Sequence, residues 1–497
     1  MVRRPRSLAA PAALAVVGLL AVTTTGCLLG PNYQRPPVAT PERWIDSPAA
    51  DPSTLANTPW WELFRDPRLQ ELIRIALVEN RDLKIAIERV EEARARYGFV
   101  RADIYPKLDL TAQGGVVEFT EEGISPLPDS LDLDNTTEYY DISATLSWEI
   151  DFFGRLRRAN EAQRALMVGA EETRRAVVLS LVADVALAYV TLRDADLQLE
   201  ISRNTLVSRR DYVELAQTRF EGGVTSEIDW RQAQAEYHRT AAIVQDLERA
   251  VRQLENFLSV LLGRNPGPIV RGAGIEELAA PVAIPSGLPS DLLDRRPDIR
   301  VAEQNLVAAN ANIGEAKALL FPRITLTGAL GVTSTELDTL FDSGAHSTSL
   351  LGGLLQPLFN AGKNRQRVAI TESVMRQTLY SYESTVLQAF REVEDSIIAY
   401  QKLGEQRATQ RARVDAERRV LELAELRYRG GVSDYLAVLD AQRSLFGSEL
   451  DSVSAIGAQQ AALIQLYKAL GGGWPAAPED AQAGDEGAVT EASASTP

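Results

Sequence analysis

The chain has 497 residues, of which 52 are basic and 68 acidic, so it carries a net charge of −16. Such an acidic balance argues against a nucleic-acid partner, and a single cysteine excludes a disulfide framework and a cysteine metal site. His238 and His346 are the only histidines and neither stands in a metal-ligand spacing or a nucleophile motif. No catalytic residue, metal site or cofactor is therefore expected, and the chain does not read as an enzyme.

At the N-terminus, Arg3, Arg4 and Arg6 precede an apolar run at residues 8–22 that ends in small residues, the pattern of a secretory signal. The run is too short for a stable membrane span. Cys27 follows Thr24-Thr25-Gly26, which resembles the bacterial lipoprotein cleavage box, in which the cysteine becomes the acylated first residue; Thr24 departs from the aliphatic residue usual there. Removal of residues 1–26 takes three arginines with it and leaves a net charge of −19. More than one acyl chain on Cys27 is enough for lasting anchorage in lipid, and Leu28 rather than Asp after it favours sorting to the outer membrane.

Beyond residue 70 the sequence is written twice. Asn80-Arg81-Asp82-Leu83 and Tyr105-Pro106 return as Arg296-Pro297-Asp298-Ile299 and Phe321-Pro322, an offset of 216 residues. Gly154, Arg219-Phe220-Glu221-Gly222-Gly223-Val224, Ala233-Gln234 and Leu262-Gly263 return as Gly362, Arg427-Tyr428-Arg429-Gly430-Gly431-Val432, Ala441-Gln442 and Leu470-Gly471, an offset of 208. The eight-residue difference falls between Pro106 and Gly154, where length is free to vary.

In chain order, each copy opens with a helical stretch, at residues 72–104 and 288–320. From residue 154 to 222, and again from 362 to 430, 68 residues pass without proline; at about 1.5 Å per residue each makes a helix roughly 100 Å long. Val177, Leu181, Val185, Ala188, Leu192, Ala195 and Leu199 step by threes and fours, as do Leu379, Tyr382, Val386, Phe390, Val393, Ile397 and Tyr400, the stripe of a packed helix. The Gly-Gly pairs stop these helices, and a second helix of about 40 residues returns to each Leu-Gly. Two shorter helices placed end to end beside one long one, twice over, is the economical geometry.

Strands occupy the variable part. Tyr140, Ile142, Ala144, Leu146, Trp148 and Ile150 alternate with Asp141, Ser143, Thr145, Ser147, Glu149 and Asp151, so a strand is expected over residues 139–151. Residues 107–117 and 323–333 alternate more weakly, and 347–359 is glycine-rich and nearly apolar. Each is close to the length of a tilted transmembrane strand, about nine to eleven residues. Four strands cannot close a barrel and open sheet edges are not viable in lipid. The chain must therefore oligomerise, with eight strands in a dimer or twelve in a trimer.

Three further motifs stand out: Gly30-Pro31-Asn32-Tyr33 after the cysteine, Trp60-Trp61-Glu62-Leu63-Phe64-Arg65-Asp66-Pro67 before the first helix, and Ile284-Pro285-Ser286-Gly287-Leu288-Pro289-Ser290-Asp291-Leu292-Leu293-Asp294-Arg295-Arg296-Pro297-Asp298-Ile299 opening the second copy. With the duplication, these resemble the TolC-like outer-membrane efflux factors in their lipoprotein branch, the OprM and NodT type, over residues 27–474. The resemblance implies a mainly α chain with a small transmembrane β part, a duplicated unit that builds a long periplasmic α-helical barrel and an outer-membrane β-barrel, four strands per chain, closed by trimerisation. In these terms residues 1–26 are a signal peptide, 27–65 a lipidated extended segment, 66–263 the first efflux repeat, 264–287 a linker, 288–474 the second repeat, and 475–497 a disordered acidic tail.

The implied role is a passive, lipid-anchored duct in the outer membrane of a Gram-negative bacterium, extending into the periplasm. Such a homotrimer takes drugs or other small solutes from an inner-membrane pump of the resistance-nodulation-division type and a periplasmic adaptor. A type I protein secretion duct or a metal-ion efflux duct would keep the fold, and a periplasmic coiled-coil scaffold would be a different class of protein. In the family, the adaptor meets the turns remote from the strands, which here are Arg219, Gly222, Gly223 and Val224 with their counterparts Arg427, Gly430, Gly431 and Val432. A plain helical cap would require these glycines but not the arginines. Tyr428, Arg429, Asp440 and Arg443 stand where the first copy has Phe220, Glu221, Gln232 and Ala235, and the resemblance assigns them to a periplasmic gate. Asp440 and Arg443 lie three apart on one helical turn and could pair with each other. Exposed pairs of that kind contribute about 0–1 kcal/mol, a weakness that suits a gate an adaptor must open.

Overall fold

The computed structural model describes residues 27–45, 59–118, 136–278 and 289–472. The expected signal peptide, the acidic tail and residues 279–287 of the linker lie outside the described residues. In chain order the elements are α1 (Trp60–Leu63), α2 (Pro67–Glu79), α3 (Arg81–Ala102), β1 (Lys107–Glu118), β2 (Thr136–Ile150), α4 (Arg155–Glu221) and α5 (Glu227–Leu261). The second copy follows with α6 (Leu292–Arg295), α7 (Pro297–Ala318), β3 (Arg323–Ser334), β4 (His346–Leu355), α8 (Lys363–Arg429) and α9 (Tyr435–Ala469).

Each copy's opening helical stretch is corrected from one helix to two. Asp66 caps α2 by accepting from Arg68 N at 2.8 Å, and Pro67 takes the first position, where the absent N–H has no partner to lose. Asn80 is extended (φ −60, ψ 134) and ends α2. Its Oδ1 accepts from Leu83 N at 3.0 Å to start α3, while its Nδ2 donates to the Leu261 carbonyl at 2.9 Å. In the second copy Arg296 is extended because Pro297 follows it. Arg296 donates to the Ala469 carbonyl at 3.0 Å and to the carboxylates of Asp298 and Glu392 at 2.6 and 2.8 Å. Different side chains thus tie the broken helix of each copy to the last turn of its returning helix.

The chain forms two compact units. The first, residues up to 36, 90–170 and 302–382, holds one antiparallel sheet in the order β1-β2-β3-β4. Its register pairs Lys107 with Ser147, Ile150 with Ile324 and Arg323 with Leu355. Since successive side chains alternate, this register gathers Leu108, Leu110, Ile142, Leu146, Leu326, Leu330, Leu350 and Leu354 on one face. Asp109, Thr111, Gln113, Ser143, Thr145, Thr325, Thr327 and Ser349 share the other. β4 ends at Leu355 rather than at the expected residue 359, because Pro357 has no N–H to give a ladder. Below the sheet α4 and α7 approach closely through Ala162, Ala165, Ala308 and Ala311.

The second unit, residues 37–89, 171–301 and from 383 onward, is helical. The apolar stripes are its core: Leu181, Val185, Ala188, Leu192, Ala195 and Leu199 of α4 are buried, with Val386, Phe390, Val393 and Ile397 of α8. Each fully buried Val, Leu, Ile or Phe contributes roughly 1.5–3 kcal/mol. The described part of the linker is pinned rather than loose. Arg271 bridges Asp196 at 3.0 Å and Glu255 at 2.5 Å, and Gly272 N donates to Tyr189, whose hydroxyl donates to Asp66.

Candidate functional site

Both long helices stop in the same way. Val224 N donates to the Arg219 carbonyl at 2.8 Å and Gly223 N to Phe220 at 2.9 Å; Val432 N donates to Arg427 at 2.9 Å and Gly431 N to Tyr428 at 3.1 Å. These paired bonds close the helix ends through a residue in the left-handed region, here Gly223 and Gly431, each at φ 70. Gly222 and Gly430 do not need that conformation. Two residues after each Val, a side chain starts the returning helix: Ser226 Oγ accepts from Ile228 N at 3.2 Å and Asp434 Oδ1 from Ala437 N at 3.3 Å. The backbone of the two turns is therefore one design used twice.

Their side chains differ. At the first turn Phe220 stacks on Trp230 with ring centroids 5.7 Å apart. At the second, Tyr428 packs against Tyr435 at 5.8 Å, and the Arg219 guanidinium of the first turn lies 4.8 Å over the Tyr428 ring. Arg219 thus joins the two turns within one chain, whereas Arg427 is exposed. Val224 and Val432 are 73% and 70% exposed, which leaves an apolar side chain at the apex of each turn.

The four residues singled out in the second copy are not gathered into one cluster. Arg429 pairs with Glu425 at 3.1 Å on its own helix. Glu425 also accepts from the hydroxyl of Tyr212 on α4. Arg443 reaches Asp440 only at 3.6 Å; its nearer partner is Glu236 of α5, at 2.6 Å. The hydrogen bond to Glu236 raises the Arg443 pKa. Glu236 is buried, so the acceptor of this link between copies is shielded from water although Arg443 itself is 40% exposed, and Asp440 is exposed.

Sequence reasoning missed a second layer behind these residues. Arg209 of α4 is 3% exposed and donates to Gln442 of α9, while its Nε has no partner among the described residues. Burial lowers its pKa. Tyr435 is buried with its hydroxyl unpartnered among the described residues, and burial pushes its pKa up to about 12. Arg209, Tyr212, Gln442 and Glu425 line a cavity of about 360 Å³. The signal that found Tyr428 would also have found this layer: Arg209, Glu425 and Tyr435 have Glu417, Gln217 and Glu227 as counterparts at the offset of 208.

Cys27 is exposed, at the head of a segment that docks along the first unit. The fully buried Arg158 donates to the carbonyls of Leu29 and Gly30 at 2.9 and 3.3 Å and to Asn32 Oδ1 at 2.9 Å. Asn310 Nδ2 donates to the Pro31 carbonyl, and Tyr33 and Arg35 both reach Glu303. Gly30 holds φ 90 with its backbone against Gly314, which is why the motif after the cysteine begins with glycine. Among the described residues no group of His, Cys, Asp and Glu could hold a metal ion.

Known proteins resemble this chain in sequence and fold. The chain is 38% identical over 467 residues to the toluene efflux pump outer membrane protein TtgF of Pseudomonas putida, a match that covers 92% of this chain and 96% of that one. It is 36% identical over 471 residues to the probable outer membrane lipoprotein SilC of Salmonella typhimurium, covering 92% and 98%. The open state of the Neisseria gonorrhoeae MtrE outer membrane channel superimposes with a TM-score of 0.81 at 32% identity, over 90% of this chain and 98% of that one. The outer membrane efflux protein family matches residues 72–264 and 288–472, and the chain belongs to this family of TolC-like outer-membrane efflux channels.

Proposed function

We propose that three copies of the chain, each anchored through an acylated Cys27, form a passive duct that carries small apolar or amphiphilic solutes out of the cell. They receive them from a resistance-nodulation-division pump through a periplasmic adaptor. The observation that carries this reading is the sheet: one face apolar, one face polar, and a free edge at both β1 and β4. Lipid accepts the apolar face but not the edges, so copies must supply the missing neighbours, and the polar face then lines a wet lumen. The toluene named for TtgF supports small solutes as cargo.

In this reading the two turns face the adaptor, with Val224, Val432 and the glycine backbone as the contact and Arg219 committed to Tyr428. Tyr428, Arg429, Asp440 and Arg443 hold the inner end shut. Arg443 fixes the two copies of one chain to each other through Glu236, and the exposed Asp440 faces a neighbouring copy. Single-channel recording of the reconstituted oligomer tests this. Asp440→Ala with Arg443→Ala is expected to raise the resting conductance several-fold, and an unchanged conductance overturns the gate. A protein that runs as a monomer in the soluble periplasmic fraction, without a heat-modifiable oligomer, overturns the duct.

A further inference from the structure

Arg209 and Glu236 carry opposite charges on the two helices that meet at the first turn, α4 and α5, yet each gives its short bond to the second copy. Arg209 donates to Gln442 of α9, and Glu236 accepts from Arg443 of α9 at 2.6 Å. Gln442 and Arg443 are consecutive, so one stretch of α9 holds both groups. Arg209, Glu236 and Gln442 are all buried.

Charge is unevenly matched in this layer. Glu236 has the guanidinium of Arg443 at 2.6 Å and that of Arg239 at 3.9 Å. Arg209 is given a neutral amide, and its Nε has no partner among the described residues. Burial lowers the Arg209 pKa; the charge of Glu236 works against that fall and the charge of Arg443 adds to it. A buried cation on a neutral acceptor is costly, and the anion that already acts on it through space stands on the neighbouring helix. Arg209 also borders the cavity of about 360 Å³, which gives its side chain room to leave Gln442.

Resting on the gate proposed above, we infer that Arg209 is a further gate residue, a positioning group that takes Glu236 when the second turn moves off the first. With α9 seated, Gln442 occupies Arg209 and Arg443 occupies Glu236. When α9 withdraws, both bonds break together, and a guanidinium and a carboxylate are left behind on adjacent helices. Arg209 then accepts the role that Arg443 gives up. An ion pair between the two hairpins is replaced by one within the first hairpin, so opening strands no carboxylate. A group satisfied in both states does not oppose the passage between them.

The first hairpin can hold this pair by itself. Phe220 on Trp230, and Arg203 with Glu248 at 2.6 Å, join α4 to α5 without the second copy. The second hairpin has no equivalent, because the offset of 208 places Glu417 and Ser444 where the first copy has Arg209 and Glu236. The reserve pair belongs only to the hairpin that α9 leaves.

A residue that merely clamped α4 to α9 would act with the opposite sign: its loss would open the channel, whereas loss of the exchange partner disfavours the open state. Single-channel recording of the full-length reconstituted oligomer separates the two, using the parent and the unlocked variant Asp440→Ala with Arg443→Ala. In the unlocked variant, Arg209→Gln, which keeps a donor for Gln442 but no charge, is expected to lower the resting conductance several-fold toward that of the parent. Arg209→Lys should retain most of it, since an ammonium still pairs with Glu236. With Glu236→Gln added, Arg209→Gln should have no further effect. A conductance that rises or stays unaltered in Arg209→Gln, or an equal fall with Glu236→Gln present, overturns the exchange and leaves the gate standing. Equal conductance of the parent and the unlocked variant overturns the gate and the exchange with it. Unboiled migration reports assembly in parallel. If Arg209→Gln does not assemble, Arg209→Met is read by the same criteria, and failure of both to assemble makes Arg209 a structural residue and overturns the exchange.

Discussion

The first and second helical turns share a backbone and differ in what their side chains are asked to do. Gly223 and Gly431 have the same φ, the same two hydrogen bonds close each helix, and the next helix is capped at Ser226 and Asp434, again 208 apart. The first turn is closed by stacking, Phe220 on Trp230, which needs no partner from the other copy. The second places Tyr428 under Arg219, Glu425 under Tyr212 and Arg443 on Glu236, three contacts that all reach into the first copy. Duplication thus preserved the elements that set geometry and released those that set connection. The second turn is the place where one half of the chain holds the other.

The largest effect is expected where that hold ends on a buried acceptor. Arg443→Ala leaves Glu236 with Arg239, 3.9 Å away, and the charge of the nearby Arg209, but with no close donor to replace the one it loses. An acceptor left unsatisfied in a buried site costs on the order of 1–3 kcal/mol. Amide exchange at residues 427–432 should quicken accordingly, and adding Glu236→Gln should recover most of the loss. Unaltered exchange in Arg443→Ala would mean that the two copies are held elsewhere.

Gly223→Ala and Gly431→Ala should come next and should match each other. Beyond the chain neighbours, no heavy atom of the described residues lies within 4 Å of the added methyl at either site, so the cost is that of the left-handed backbone alone, about 1–2 kcal/mol. Unequal shifts in the exchange of the two turns would break the equivalence of their backbones.

Asp194 gives a smaller, pH-dependent contrast, because its counterpart in the second copy is Lys402. Burial raises the Asp194 pKa against α9, where Gly457 leaves it space and Oδ1 has no donor among the described residues. Its folded pKa lies above its unfolded value, so its ionisation erodes stability as pH rises between the two. Asp194→Asn should therefore raise the melting temperature at neutral pH, with the advantage fading as pH falls through the raised pKa toward the ordinary aspartate value of about 3.9. A benefit that persists unchanged at low pH would contradict this origin. The smallest effect is expected for Tyr435→Phe, which removes a buried hydroxyl with no partner among the described residues and should stabilise the chain by about 1 kcal/mol. A large loss would reveal a bond made by that hydroxyl in the oligomer.

Much of the architecture was readable because it obeys short-range rules. Absence of proline, a stripe at helical spacing and a closing Gly-Gly are enough to place α4 and α8, since each term acts within a turn or two of chain. The break at Asn80 escaped the pattern. Its apolar spacing continues from α2 into α3, and the interruption is held by the local Asn80 cap on Leu83 together with the Asn80 bond to Leu261, 181 residues away. Arg296 is the contrasting case, where Pro297 marks the break locally. At the turns, comparison of the copies picked out Tyr428, Arg429, Asp440 and Arg443, but not what they touch. The pairing of Asp440 with Arg443 is the local answer, and the shorter contact goes to Glu236, 207 residues away.

By itself the sequence determined the duplication, the lengths of the long helices and the two-faced strands. These follow from periodicity and from repeated letters, which need no knowledge of what lies across a groove. Tertiary structure alone decided that Arg443 serves Glu236, that Arg209 is buried against Gln442, and that Arg219 covers Tyr428. The reason is physical. A long side chain on a helix sweeps several possible partners, and the choice among them is set by which neighbouring helix brings an acceptor into a site where water is excluded.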